Sequence, residues 1–413
     1  MAPGDMTRVK LRAVILENFR GYKGRCRIDL DDITGLVGRN DAGKSSVLEA
    51  LEIFFNSEEG VFDPADVCVY AATQTASIGC VFADFPQQVV IDATATTALA
   101  DEYPLNEDGH LEVHKRFDCA VKKPKESLTA IANHPAGEHV GELLLRNQGE
   151  LIAIVKQLAI EEGTIDLRSN VSMRRAIRDA TAPLTLARAE IPLDKEDAKR
   201  IWDLLKLQLP IYAFFRSDRP SQDGDSEVQN PLKIAVAEAL KEAQGEFQQV
   251  EQSVREKVGD VARRTLDKLR EMDADFANEL RPDFKAERKW DSLFKFTFDS
   301  DDRIPINKRG SGVRRLKLLS FFRAEAERRL READAPGVIY GIEEPETSQH
   351  PTNQKILIEA FTTLVDEGNA QVVLTTHTPA LAGLLPPEAL RHVQRTPNKT
   401  EQLPAGLTTR SSV

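Results

Sequence analysis

The apolar positions change period along the chain, and the changes outline its elements. Residues 9–16 and 26–30 read as strands, and a short apolar run at 33–37 reads as a buried strand. Alternation of apolar and polar residues marks more sheet at 77–82 and 89–93. From about 95 to 145 the chain is polar and turn-rich, and the pattern assigns no element. Residues 46–55, 149–162 and 193–207 have helical periodicity. A loop rich in Ser, Asp, Gly and Gln spans 216–230 and ends at Pro231, a residue suited to a first helical turn. Beyond it, to about 275, Val236, Leu240, Ala243, Phe247, Val250, Val254, Val258 and Val261 recur at spacings of three and four. That stripe fits a helix packed on a core, or a projecting arm or dimer-contact hairpin. Gly245 and Gly259 argue against one rigid rod.

Strands return at 293–298, 337–342 and 371–375, with helical stretches at about 313–333 and 354–367 between them. This β-α-β-α-β order predicts a parallel sheet covered by helices. The run at 33–37 is expected to join that sheet, with the middle of the chain as a long insertion. The expected division is an N-terminal lobe over 7–185, a mainly helical insertion over 186–290, a C-terminal lobe over 291–396 and a polar tail over 397–413.

The length of 413 residues allows several domains and a large core. A net charge of -11 excludes a global polycation, so any contact with DNA has to come from local basic patches. Two candidates are His114, Lys115 and Arg116 with Lys122, Lys123 and Lys125, and the group Arg174, Arg175 and Arg178. Clusters of this kind are usually solvated faces. Cys26, Cys68, Cys80 and Cys119 are scattered, which fits neither a zinc site nor a disulfide framework and points to a reducing, cytoplasmic setting. No apolar run reaches membrane-spanning length, and no membrane partner is expected.

The chemistry enters at Gly38-Arg39-Asn40-Asp41-Ala42-Gly43-Lys44-Ser45, which fits G-x-x-x-x-G-K-[ST] between a strand and a helix beginning near Ser46. The glycines allow backbone N–H groups close to phosphate oxygens, and the helix N-terminus adds partial positive charge. Lys44 is expected to reach the β- and γ-phosphates of ATP, and the Ser45 hydroxyl to bind Mg²⁺. A second acidic half follows the strand at 337–342, where Glu343 is expected to hold Mg²⁺ and Glu344 to activate the attacking water. His377, at the end of the next strand, is positioned to sense or polarise the γ-phosphate. Lys308-Arg309-Gly310-Ser311-Gly312 opens a helix and forms a second anion-binding nest. Two cradles make sense if two subunits meet head to tail, each offering its nest to the other's ATP.

This order resembles the ABC-type ATPase heads of the structural-maintenance-of-chromosomes (SMC), RecF and OLD (overcoming lysogenization defect) group. Leu16-Glu17-Asn18-Phe19-Arg20-Gly21-Tyr22 resembles that group's first-strand pattern, which lies near the nucleotide and brings Arg20 into the expected site. Ser311 and Gly312 sit at its signature motif, and Glu343 and Glu344 at its Walker B. Residues 346–350 fall in its D-loop region, and His377 at its switch histidine. Asp84 lies near the place of the Q-loop and is carried as a possible metal ligand. The wording Ile342-Glu343-Glu344-Pro345-Glu346 and Gly38-Arg39-Asn40-Asp41 is most similar to the OLD-like branch, close to the ATPase components of PARIS and Gabija anti-phage systems.

The resemblance implies an α/β ABC-type P-loop head: a mostly parallel sheet flanked by helices, an antiparallel N-terminal portion and a long helical insertion. It implies ATP hydrolysis, a homodimer or higher homo-oligomer closed by an ATP sandwich, and control of a Toprim-type nuclease effector. The residues after His377 are too few for a Toprim domain, so no nuclease site is expected in this chain. The effector is then a separate protein or a domain of a longer one. The alternative is a RecF- or SMC-like DNA-binding ATPase in repair or chromosome maintenance. A metabolic P-loop kinase would leave the second nest and His377 without a role.

Overall fold

The computed structural model describes residues 9–56, 60–85, 88–92, 95–102, 104–121, 124–161, 165–216, 337–347, 351–366, 370–396 and 399–402, with a few isolated positions between 239 and 324. In chain order the elements are β1 (Lys10–Phe19), β2 (Tyr22–Asp29), β3 (Ile33–Val37), α1 (Lys44–Phe55), β4 (Thr75–Ala83), β5 (Gln88–Asp92), β6 (Ala95–Ala98), β7 (Leu111–Asp118) and β8 (Lys125–Ala136). Then come α2 (Gln148–Gln157), α3 (Asn170–Thr181), β9 (Thr185–Pro192), α4 (Glu196–Lys206), β10 (Ile211–Phe215), β11 (Val338–Glu343), α5 (Pro351–Asp366), β12 (Ala370–Thr376), α6 (Pro379–Ala382), β13 (Leu390–Thr396) and β14 (Lys399–Gln402). The chain divides into two compact units, Met1–Pro220 with Arg309–Val413, and Ser221–Lys308. All the elements named here belong to the first.

Two six-stranded sheets stand where the pattern suggested one, and β5 and β6 pair antiparallel in a separate two-stranded sheet. The first has six strands in the order β2-β1-β4-β7-β8-β9, and every pairing in it is antiparallel. The second has six in the order β10-β11-β12-β3-β13-β14; it is parallel throughout, except that β14 returns antiparallel to β13. The expectation of a mostly parallel sheet with an antiparallel portion is corrected to this pair. β3 does join β11 and β12 in one sheet, as expected. Of the stripe after Pro231 only Val261 is described, in a helical position and exposed; the rest of the stripe, the strand at 293–298, all but one position of the helix at 313–333 and the signature residues Ser311 and Gly312 lie outside the described residues.

One apolar core links the two sheets through α1. Val14, Leu16 and Phe82 contribute from the first sheet, Tyr212, Ile339 and Val373 from the second, and Val47, Leu48 and Leu51 from the helix. α1 is buried on nearly every side, which its run of Val, Leu, Ala, Ile and Phe permits. The Tyr212 hydroxyl donates to Leu48 O at 2.8 Å, tying β10 to the helix. Gln371, buried at the start of β12, accepts a hydrogen bond from Leu11 N–H at 2.8 Å through Oε1 and donates to Leu11 O at 3.0 Å through Nε2. Its amide thus replaces a neighbouring strand for β1 and pins the sheets together. Among the described residues no helix is long and apolar enough to cross a membrane.

Candidate functional site

Three parallel strands end side by side. Glu343 of β11 is in register with Thr375 of β12, and Thr376 of β12 with Val37 of β3. The chain leaves these strands into Glu344, His377 and the loop at 38–43. All three exits lie at the C-terminal edge of the sheet, where open α/β sheets take their ligands.

The loop is shaped for an anion. Gly43 precedes α1 in the left-handed conformation, φ 99° and ψ 9°, and no side chain caps the helix. The first turn holds no acid, so its orphan N–H groups and the positive end of the dipole act together. Gly38 is needed for a different reason: a Cβ there would press on the Val393 carbonyl oxygen of β13. Lys44 is only 4% exposed. Its Nζ donates to the loop's own carbonyls, Gly38 O at 3.0 Å and Arg39 O at 2.9 Å. Burial pushes its pKa down, against the upward pull of the Glu344, Glu346 and Glu343 charges. Arg39, Asn40 and Asp41 are exposed, Ala42 is buried, and Ser45 and Ser46 are half-buried. Asp41 has a left-handed φ of 60° and is ion-paired with Arg395.

The acidic side is equally specific. Glu344 has φ 41°, unusual for a residue with a Cβ. Its N–H is held by Thr375 O and Thr375 Oγ1, each at 3.1 Å. His377 Nδ1 lies 3.2 Å from Glu344 Oε1 and 3.7 Å from Glu346 Oε1. Among the described residues no cluster of three or more His, Cys, Asp or Glu side chains is arranged to hold a metal. Ser45 and Glu343 offer one hydroxyl and one carboxylate. That sparse set suits Mg²⁺, which keeps several waters and completes its shell with substrate phosphates.

The fold thus gathers the residues from Gly38 to Ser46 with Glu343, Glu344 and His377. It does not bring Asp84 to them. Asp84 follows β4 beside the start of β1, where Arg12 Nη2 holds it at 3.1 Å and Arg12 Nη1 lies 3.7 Å from Asp32. Asp32 precedes β3 and the loop follows it; with β3 five residues long, the two ends are roughly 16 Å apart. Asp84 is therefore at the wrong end of the sheet for a metal beside Ser45. Arg20, with φ 50°, lies on the flank of α1. Its Nε donates to Asp66 Oδ1 at 2.7 Å, and Nη1 pairs with Glu49 of α1. Burial opposes its charge, but Asp66 and Glu49 outweigh it and raise the pKa. The guanidinium already has two carboxylate partners.

The proposed DNA-facing arginines are corrected too. Arg174 is fully buried, with Nε 2.9 Å from Glu102 Oε2 and Nη1 on Asp197. Arg178 is buried beside the same Glu102 at 3.0 Å. His114 is buried as well, between Ser77 Oγ at 3.1 Å and Glu112 Oε1 at 2.9 Å. Arg116 pairs with Glu190, and Lys115 with Glu126. Lys122 and Lys123 lie outside the described residues.

Sequence reasoning missed three groups at the site. Glu346 and the hydroxyls of Thr376 and Thr378 form a buried cluster under His377. Tyr22 donates its hydroxyl to Gly43 O at 3.0 Å, behind the loop. Thr400 of β14 packs where a Cβ on Gly43 would meet its Cγ2 at 3.0 Å. Two had a signal: Tyr22 closes the pattern at 16–22, and Glu346 is the third acid of a five-residue stretch.

A family model described as the AAA ATPase domain matches residues 9–382. No curated protein matches the chain. Among solved structures, an SMC head bound to the C-winged helix domain of ScpA has a TM-score of 0.46 at 11% identity, covering 95% of this chain and 97% of that one. The Smc head with an extended coiled coil bound to the C-terminal domain of ScpA, derived from Pyrococcus furiosus, has a TM-score of 0.43 at 12% identity, covering 96% of each. The SMC head domain from Thermotoga maritima has 0.34 at 11%, covering 96% and 100%. At scores and identities this low, neither fold nor function carries over from them. With most of its length matched by the family model, the chain belongs to the AAA ATPase domain family.

Proposed function

We propose that this protein binds ATP with Mg²⁺ at the loop from Gly38 to Ser46 and hydrolyses it, using the bound state as a switch. The observation that carries this reading is the meeting of Lys44, Glu344 and His377 at one sheet edge, beside an uncapped helix start. The first-turn N–H groups of α1 receive the phosphates. Lys44 exchanges the Gly38 and Arg39 carbonyls for phosphate oxygens, whose full negative charge is the better partner for a buried ammonium. Ser45 and Glu343 are the groups that would hold Mg²⁺. When bound, the ion supplies neutralisation of the charge developing on the β- and γ-phosphate oxygens. Glu344 orients the attacking water and accepts its proton. His377, 3.2 Å away, keeps that carboxylate turned toward the reacting phosphate.

The switch itself is a head-to-tail dimer, with Ser311 and Gly312 of each copy against the other's ATP. Its output, control of a Toprim-type nuclease effector in anti-phage defence, is supported by the motif wording alone. The second reading is a RecF- or SMC-like DNA-binding ATPase, for which Arg174 and Arg178 are not free, being committed to buried carboxylates. Glu344→Gln tests the proposal. The variant is expected to bind ATP, release phosphate at least roughly a hundredfold more slowly than wild type, and accumulate as a dimer in ATP by light scattering. A Glu344→Gln protein that turns over normally and stays monomeric in ATP would refute it.

A further inference from the structure

The chemistry above uses Glu344 and His377 and leaves a third acid without a task. Glu346 follows the strained turn at Glu344 and is buried, its side chain 3% exposed. Oε1 accepts from Thr376 Oγ1 at 2.5 Å, from the His377 backbone N–H at 3.3 Å and from Thr378 Oγ1 at 3.3 Å. Oε2 is also buried and has no hydrogen-bond partner among the described residues. A carboxylate is an expensive choice for a buried structural bridge, since a neutral acceptor would fill the same place without desolvating a charge. Its three donors come from consecutive residues, 376 to 378, so one oxygen grips the whole turn that carries the imidazole. The other side of that turn is held from β11, through Glu344 N–H on Thr375.

We infer that Glu346 is a positioning residue for His377. By fixing the turn from Thr376 to Thr378, its carboxylate sets the imidazole, itself 37% exposed, 3.2 Å from Glu344 and keeps it from rotating away from that carboxylate. The inference deepens the proposed function and rests on it for its catalytic consequence, but not for the placement of the histidine.

Thr376→Val and Thr376→Ser isolate the grip with little change of volume, and Glu346→Ala removes it outright. In each full-length protein, diethylpyrocarbonate modification of His377 is followed by peptide mass mapping without nucleotide. Alongside it, kcat and the ATP Kd are measured. Glu346→Ala and Thr376→Val are expected to raise the modification rate of His377 several-fold. They are also expected to lower kcat roughly tenfold or more while the ATP Kd stays within about twofold. Thr376→Ser, which keeps the hydroxyl, restores both readouts toward wild type. If Glu346→Ala does not fold, the two Thr376 variants carry the test. His377 modified at the wild-type rate in every folded variant would overturn the inference. So would a kcat loss matched by an equal loss of ATP affinity. A wild-type protein without ATPase activity would sink the proposed function instead, and the modification rates would still decide the role of Glu346.

Discussion

Of the two glycines in the phosphate loop, Gly38 has the closer neighbour to an added Cβ. It packs on the Val393 backbone, which is itself fixed in β13. Gly38→Ala is therefore expected to displace the loop or the strand. The measured result should be loss of ATP binding by at least roughly tenfold, with a destabilisation of about 1–3 kcal/mol from overpacking. Ordinary ATP affinity and an unchanged unfolding midpoint in Gly38→Ala would show that the loop has room to move. Single residues were legible in the sequence where the pattern dictates backbone shape, as at Gly43 and Lys44. They were not legible where the role depends on which end of a strand a residue occupies. Asp84 follows a strand as Glu344 does, but β4 runs the other way relative to the site, and no local signal distinguishes the two. The partners of Arg20 were equally hidden, since Asp66 comes from a distant loop and Glu49 from the side of α1.

Among elements, the helices read best and the middle strands worst. α1, α2 and α4 sit within a few residues of their predicted spans, and so do β3, β11 and β12. β7 and β8 were invisible because their second face is not simply polar and solvated. Glu112 and His114 on β7 are buried polar residues that satisfy one another. Burial would raise the pKa of Glu112, yet hydrogen bonds from His114 and Asn106, with the His114 and Arg25 charges, lower it. α3 was hidden by its basic residues, which looked like a surface and are a core. Arg174 joins α3 to Glu102 and to Asp197 in the first turn of α4. Arg174→Ala removes the cation shared by two buried carboxylates, leaving Arg178 on Glu102 and the exposed Arg200 beside Asp197, and is expected to cost about 3–5 kcal/mol in urea unfolding. Arg175→Ala, one residue along on the exposed side, should change stability by less than about 0.5 kcal/mol. Equal effects from the two variants would mean that the Arg174 network does not hold these elements together.

At the scale of the molecule, the antiparallel sheet serves as a platform against the parallel one, with α1 between them. The two are tied at opposite ends. Gln371 bonds Leu11 at the end remote from the loop, and Thr400 N–H donates to Gly21 O at 2.8 Å at the loop end. The parallel half of this plan was readable from β-α-β-α-β order. The split into separate sheets was not, because it depends on strand pairings between residues far apart in sequence. What the plan achieves is a single edge where a helix N-terminus, a buried lysine and a glutamate–histidine pair converge. The most direct test of that claim is ATP binding and steady-state phosphate release by the purified wild-type protein and Lys44→Ala, with Mg²⁺ present. The wild type is expected to bind and hydrolyse ATP, and Lys44→Ala to lose affinity by roughly a hundredfold with no measurable turnover. Binding and hydrolysis that survive unchanged in Lys44→Ala would contradict the assignment of the site.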